Sequence, residues 1–154
     1  MRRRGNMAIE AALFIPVLVL FIVGTVQLGK VTYSYYALKK MVWAAGRQIA
    51  TQQGVNYCDV ANDATAQAAI QFALNDANGT PIIAQVTTLN VAAECADADG
   101  NLTACACGDG IDTTPAFVLV TIPDGYTVQV RIPFLNPIPV TLNPYALVPF
   151  GGVS

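Results

Sequence analysis

From Ala11 to Gly29 the chain runs through 19 consecutive uncharged residues, most of them apolar and without any alternation of polar and apolar positions. As a helix this run would rise about 28 Å, close to the hydrocarbon thickness of a bilayer. Pro16 interrupts the run and removes one backbone donor, which predicts a kink or loosened turn near Leu13 to Pro16. Beyond Gly29 the pattern changes. Val31, Tyr35, Leu38, Val42, Ala45 and Ile49 recur every three or four residues, while Lys39, Lys40, Arg47 and Gln48 fall largely off that stripe. The economical reading is one helix from about Ile9 to Gln52, roughly 65 Å long. Residues 9–29 are apolar all round, and residues 30–52 form an amphipathic extension. Such a rod needs something along its second half, either its own domain or further copies.

Gly54 and Asn56 end this helix, and residues 53–154 read as a small α+β domain. A second helix is predicted over Asp59 to Leu74, capped by Asp59 or Asn62 and stopped by Asn75-Asp76-Ala77-Asn78-Gly79. Ile82 to Val91 reads as a strand. Glu94 to Thr114, rich in Ala, Asp, Gly and Cys, reads as a cysteine-bridged loop. Phe117 to Ile122 and Tyr126 to Phe134 flank the turn Pro123-Asp124-Gly125, the pattern of two strands joined by a hairpin. Four prolines between Pro137 and Phe150 leave room for at most one short strand, Ile138 to Leu142. The expected domain therefore has one helix and a three- to four-stranded antiparallel sheet.

Charge divides the chain sharply. Seven of eight basic residues precede position 50, and nine of ten acids follow it, so residues 50–154 carry a net charge of −8. A domain that acidic is a poor nucleic-acid binder. The absence of histidine excludes Ser-His-Asp triads, Cys-His pairs and His-containing zinc sites. Only Ser34 and Ser154 are serines, and no base pairs with either, so no enzyme activity and no cofactor are expected. Cys58, Cys95, Cys105 and Cys107 all lie in the acidic part and read as two disulfides in an oxidising compartment. Cys105 and Cys107 are too close to pair with each other comfortably, so each is expected to pair with Cys58 or Cys95, in either combination. A four-thiolate zinc site lacks its usual CxxC knuckles. Asp97, Asp99 and Asn101 alternate around a Gly turn like the start of a calcium loop. The later bidentate Glu is missing, and a solvated turn is the favoured reading over calcium. Tyr33, Tyr35, Tyr36 and Trp43 read as an interfacial aromatic belt that also packs against the domain.

The basic start, Met1 to Arg4, ends at Gly5, and Glu10 stands at the threshold of the apolar run. An acid there should have a partner, because Asp or Lys at mid-bilayer costs about 2.5 to 3.5 kcal/mol. A secretory signal would place its small-residue cleavage site after the apolar stretch. Here the only clean small residue adjoining the basic run is Gly5, ahead of it. Cleavage after Gly5 would make Asn6 the new N-terminus and Glu10 the fifth residue.

This arrangement resembles the processing site of type IV prepilins and pseudopilins. The run Glu10-Ala11-Ala12-Leu13-Phe14-Ile15-Pro16-Val17-Leu18-Val19-Leu20, followed by Gly24 and Leu28-Gly29-Lys30, is similar to the TadE-type pseudopilins of the Tad (tight adherence, Flp) pilus. Tyr35-Tyr36-Ala37-Leu38 and Ala44-Ala45-Gly46-Arg47 suit that family's continuing helix. The similarity covers about positions 4–50. The family's major pilin has Tyr directly after its Glu, where Ala11 stands here.

The resemblance implies a basic leader at 1–5, a processing site at Gly5 and Asn6 cut by a prepilin peptidase, and an assembly helix over 6–52 in which Glu10 and Pro16 take part. The implied partners are that peptidase, other pilin subunits and inner-membrane lipid. The implied role is a minor pilin-like subunit supporting pilus biogenesis and adhesion, crossing the bacterial inner membrane once. Its N-terminus would be cytoplasmic and its domain periplasmic or on a pilus. The alternatives are a signal-anchored extracytoplasmic binding module and a type II secretion pseudopilin.

Overall fold

The computed structural model describes residues 3–52, 54–78, 86–96, 99–106, 115–133 and 135–151. The long helix forms as α1, Arg3–Ala50, uninterrupted through Pro16. It starts earlier than the sequence pattern suggests, because Arg3 to Gly5 continue the helix backbone. Its last turn leaves carbonyls without intrahelical donors, and the chain supplies them from outside. The Thr51 hydroxyl donates to the carbonyls of Arg47 and Gln48, and the Gln52 N–H donates to that of Ile49. The Gly151 N–H, from the far end of the chain, donates to the Ala50 carbonyl at 3.1 Å.

Helix α2 spans Ala64–Asn78, starting five residues later than expected. Its cap is Asp63, not Asp59 or Asn62. The Ala66 N–H donates to Asp63 Oδ1 at 2.8 Å, and the Asn56 N–H donates to Oδ2 at 2.9 Å. One carboxylate thus starts α2 and pins the connection from α1. These donors, Asn56 first and then Ala66, hold the Asp63 carboxyl below its usual pKa. Asp59 instead accepts from the Asn62 side-chain amide. Beside it, burial and then the charge of Asp63 push the Tyr57 phenol up to about 12, while its hydroxyl donates to the Ile49 carbonyl.

Six strands follow: β1 Asn90–Ala96, β2 Leu102–Ala104, β3 Phe117–Thr121, β4 Tyr126–Val130, β5 Ile138–Leu142 and β6 Tyr145–Pro149. β2, β1, β3 and β6 form a four-stranded antiparallel sheet in that order, while β4 and β5 form a separate antiparallel ribbon. The fold class is α+β, as expected, but four details of the strand reading are corrected. The first strand begins at Asn90; Val86 to Leu89 are irregular, and 82–85 lie outside the described residues. The cysteine-rich stretch is not all loop, since β1 and β2 make a hairpin inside it. β3 and β4 are both strands but do not pair with each other. The proline-rich tail yields two strands, because β6 sits at a sheet edge, where Pro149 can be tolerated.

The turn between β3 and β4 has the chemistry its residues imply. Pro123 precedes Asp124 at φ 59° and Gly125 at φ 70°, and the Gly125 N–H donates to the Ile122 carbonyl. Gly125 also packs closely on Asn143 and the Leu142 carbonyl, so a side chain there meets both strain and obstruction.

The core lies between the helices and one face of the sheet. Leu38, Val42, Ala45 and Ile49 of α1 are fully buried against Ala69, Ile70, Ala73 and Leu74 of α2 and against Val118, Val120, Ala146 and Val148. The buried stripe of α1 takes in Met41 as well and departs from the expected one at Ser34 and Tyr35. Ser34 is buried at 1% exposure, whereas Tyr35 faces outward at 44%. The Lys40–Asp76 ion pair between the helices is exposed at both ends and adds little.

Cys95 and Cys105 form a disulfide across the β1–β2 hairpin, with Cα atoms 5.0 Å apart. Cys58 is disulfide-bonded as well, and no cysteine among the described residues is free. Cys107 lies outside them. A bond that closes a 10-residue separation restricts the unfolded chain by about 2–3 kcal/mol in the loop-entropy account. Replacing Cys95 and Cys105 together by Ser is therefore expected to lower the melting temperature by roughly 10 °C or more. An unchanged melting curve would contradict that contribution.

Candidate functional site: the bare half of the long helix

The C-terminal half of α1 is wrapped by the domain, but its N-terminal half is not. Its most apolar window has a mean hydropathy of 2.5, and none of that window is buried. Leu13, Phe14, Val17, Phe21 and Leu28 are all more than 60% exposed. By length and composition the segment could cross a membrane. Bare apolar surface on this scale requires lipid or other helices to cover it.

Glu10 stands on this bare segment, itself exposed. Residues four apart on a helix share a face, so the backbone of Asn6 lies one turn before Glu10 on the same side. Gly5 and Asn6 are within the helix backbone; their side-chain surroundings lie outside what is described. Six residues on, Pro16 has no N–H to donate to the Ala12 carbonyl. The polar groups further along are provided for internally. The Thr25 hydroxyl donates to the Phe21 carbonyl at 2.8 Å, and that of Thr32 to Leu28 at 3.0 Å.

Among the described residues Gly24 and Gly29 make no close approach: an added Cβ at either would meet nothing within 4 Å. Gly46, on the wrapped half, is the opposite case, with Val148 and Val120 pressed against it. The two halves of α1 therefore use glycine differently. At Gly46 the close neighbour is this chain's own sheet; at Gly24 and Gly29 the space is open.

A contact that sequence reasoning missed ties the bare half of α1 to the domain. The Gln27 side-chain amide donates to the Arg131 carbonyl at 2.8 Å, just past the end of β4. The available signal was Gln27 itself, the one side-chain amide in an otherwise apolar run. The aromatic residues do not form one belt. Tyr33 and Tyr36 are exposed near Lys30, but Trp43 is ten residues beyond Tyr33, roughly 15 Å along the axis, with Arg47 over its ring. Lys39 lies over the Tyr145 ring at 5.2 Å, joining α1 to β6.

The remaining sequence candidates do not gather around this helix. Asp97 lies outside the described residues, and Asp99 and Asn101 sit at a turn before β2. Among the described residues, no group of three or more His, Cys, Asp or Glu side chains could hold a metal ion. Open depressions among the described residues of the domain include one lined by Leu119, Asp124 and Tyr145 and one lined by Val60, Gln67 and Thr88.

Residues 5–58 match the family model described as TadE-like protein. The match begins at the glycine that ends the basic start and runs through the whole bare helix and its wrapped extension. No curated protein and no solved structure matches the chain.

Proposed function

We propose, from the premise that residues 5–58 of this chain are TadE-like, that it is a minor pilin-like subunit of a Tad-type pilus assembly. The observation that carries the reading is the bare half of α1, an apolar rod with an exposed carboxylate near its start and, among the described residues, little beyond the Gln27–Arg131 contact to cover it. Before assembly the bilayer covers that rod. In a filament, neighbouring copies of similar helices cover it, and Gly24 and Gly29 leave room for them to approach closely.

The chain is the substrate of an enzyme, not an enzyme itself. A prepilin peptidase cuts between Gly5 and Asn6, and the new α-amine lies one helical turn from Glu10. The amine of one subunit neutralises the Glu10 carboxylate of its own or a neighbouring helix, which fixes the stagger between them. The N-terminus lies on the cytoplasmic side, and the acidic, disulfide-bonded domain lies outside the inner membrane, where cystines persist. Surface adhesion is the role of the assembled pilus.

Gly5→Leu tests the processing step. Co-expressed with a prepilin peptidase, the unaltered chain is expected to lose residues 1–5 and migrate faster, while the variant keeps them. Equal processing of both would remove Gly5 from the reading, and processing of neither would favour a signal-anchored module.

A further inference from the structure

We propose that the tip of the β4–β5 ribbon, residues 131–133 and 135–138, rests in the outer interface of the bilayer beside α1, as a second and shallow membrane contact. The proposal rests on the reading of α1 as a membrane span, and goes beyond it. The ribbon starts at the core, where Tyr126 and Leu142 are paired and packed against it, and ends where Val130 pairs with Ile138. Its four residue steps cover about 13 Å. The Gln27 bond to the Arg131 carbonyl shows where this brings the chain: alongside the bare half of α1.

The depth follows from the helix rise. A hydrocarbon layer of about 30 Å starting at Glu10 ends some 20 residues on, at about Lys30. Gln27 is three residues before that point, about 5 Å inside it. A ribbon end fastened to Gln27 therefore meets the headgroup boundary. It does not stop short of it.

The composition of the tip suits that location. Leu135 is 62% exposed and Ile138 is 47% exposed, and among the described residues neither is covered. Pro133 and Pro137 carry no N–H, so this stretch has two fewer backbone donors to desolvate. The Leu135 N–H is already used, donating to the Ile132 carbonyl. In a domain that is otherwise strongly acidic, residues 126–154 contain no Asp or Glu, and their single charge is Arg131. Arg131 is held through its carbonyl to Gln27, three residues before Lys30 on α1, so the chain carries a cation on each of these two elements near the boundary where lipid phosphates begin. The opposite end of the ribbon, where Tyr126 pairs with Leu142, follows the turn that carries the exposed Asp124.

The test uses the full chain in vesicles of phosphatidylethanolamine and phosphatidylglycerol, with single tryptophans placed in a Trp43→Phe background. Leu135→Trp reports the tip. Leu20→Trp reports the span. Leu102→Trp reports the far end of the sheet, where the strands approach Ala50 through the Phe150–Ala116 and Gly151–Ala50 bonds. Lipids spin-labelled near the headgroup are expected to quench Leu135→Trp strongly, and lipids labelled deep in the chains to quench it less. Leu20→Trp should show the reverse preference, and Leu102→Trp should lose no emission with either. If Leu135→Trp is as unaffected as Leu102→Trp while Leu20→Trp is quenched, the interfacial contact is wrong and the span stands. If Leu20→Trp is also unquenched, both fall. Protection of Leu135→Trp that appears only as protein-to-lipid ratio rises would show a second copy of the chain on the tip, and would equally overturn the proposal.

Discussion

Glu10→Ala is expected to leave the chain in the membrane fraction while reducing its recovery with sheared pili by two to three orders of magnitude. Insertion is driven by the apolar run after Glu10, and removing an acid can only ease it. Assembly is another matter. On the proposed reading, the α-amine of Asn6 leaves water once helices pack against one another, and in the variant it lacks the carboxylate that would neutralise it. Removing one partner of such a buried pair costs about 3–5 kcal/mol, and every 1.4 kcal/mol is tenfold in an association constant. Quantitative immunoblotting of sheared pili against membranes reads the ratio directly. Equal recovery of the variant and the unaltered chain would mean that Glu10 is an interfacial acid with no role in packing. The exposure of Glu10 in the single chain is what a residue awaiting an intermolecular partner should show.

The second large effect concerns how the rod is joined to its domain. Gly46→Leu is expected to destabilise the domain by about 3 kcal/mol, lowering its melting temperature by roughly 15 °C. At Gly46 the backbone of α1 crosses the sheet so closely that a Cβ would lie 2.9 Å from Val148 Cγ2 and 3.2 Å from Val120 Cγ2. Both neighbours are β-branched and held on adjacent strands, so they have little rotamer freedom with which to yield. Leu adds three further carbons to that clash. Against it stands a gain in helix propensity of about 1 kcal/mol over Gly, too small to compensate. Circular dichroism melts of the full chain in detergent measure the difference. Gly29→Leu is the control, since its surroundings are open and the same propensity gain applies. Equal melting temperatures for the Gly46 variant and the unaltered chain would show that helix and sheet can separate there without cost.

The contrast between these glycines marks what a sequence can show. The apolar run, its amphipathic continuation and the Gly5–Glu10 spacing were legible because each is a local pattern along one helix. β5 was legible at its observed bounds, Ile138–Leu142, for the same reason. Strand pairing was not legible. Pro123-Asp124-Gly125 does make the turn it encodes, yet a turn fixes only the path of a few residues. β4 leaves along α1 to pair with β5, and β6 takes the place beside β3 that a simple hairpin would have filled. Nor could propensity separate Asp59, Asn62 and Asp63 as caps, because all three are competent and only the approach of Asn56 selects Asp63. Apolar character places Tyr35, not Ser34, on the stripe. In three dimensions the small hydroxyl fits the buried face and the large ring stays outside. The Gln27–Arg131 bond, 104 residues apart in the chain, is of the kind no local pattern contains.

All of the functional reading turns on whether the α-amine that meets Glu10 is that of Asn6. Intact-mass and N-terminal peptide measurements on the chain recovered from the membranes and pili of its own cells decide this. The account predicts a mature protein beginning at Asn6, with residues 1–5 gone. A working protein that still begins at Met1 would contradict it.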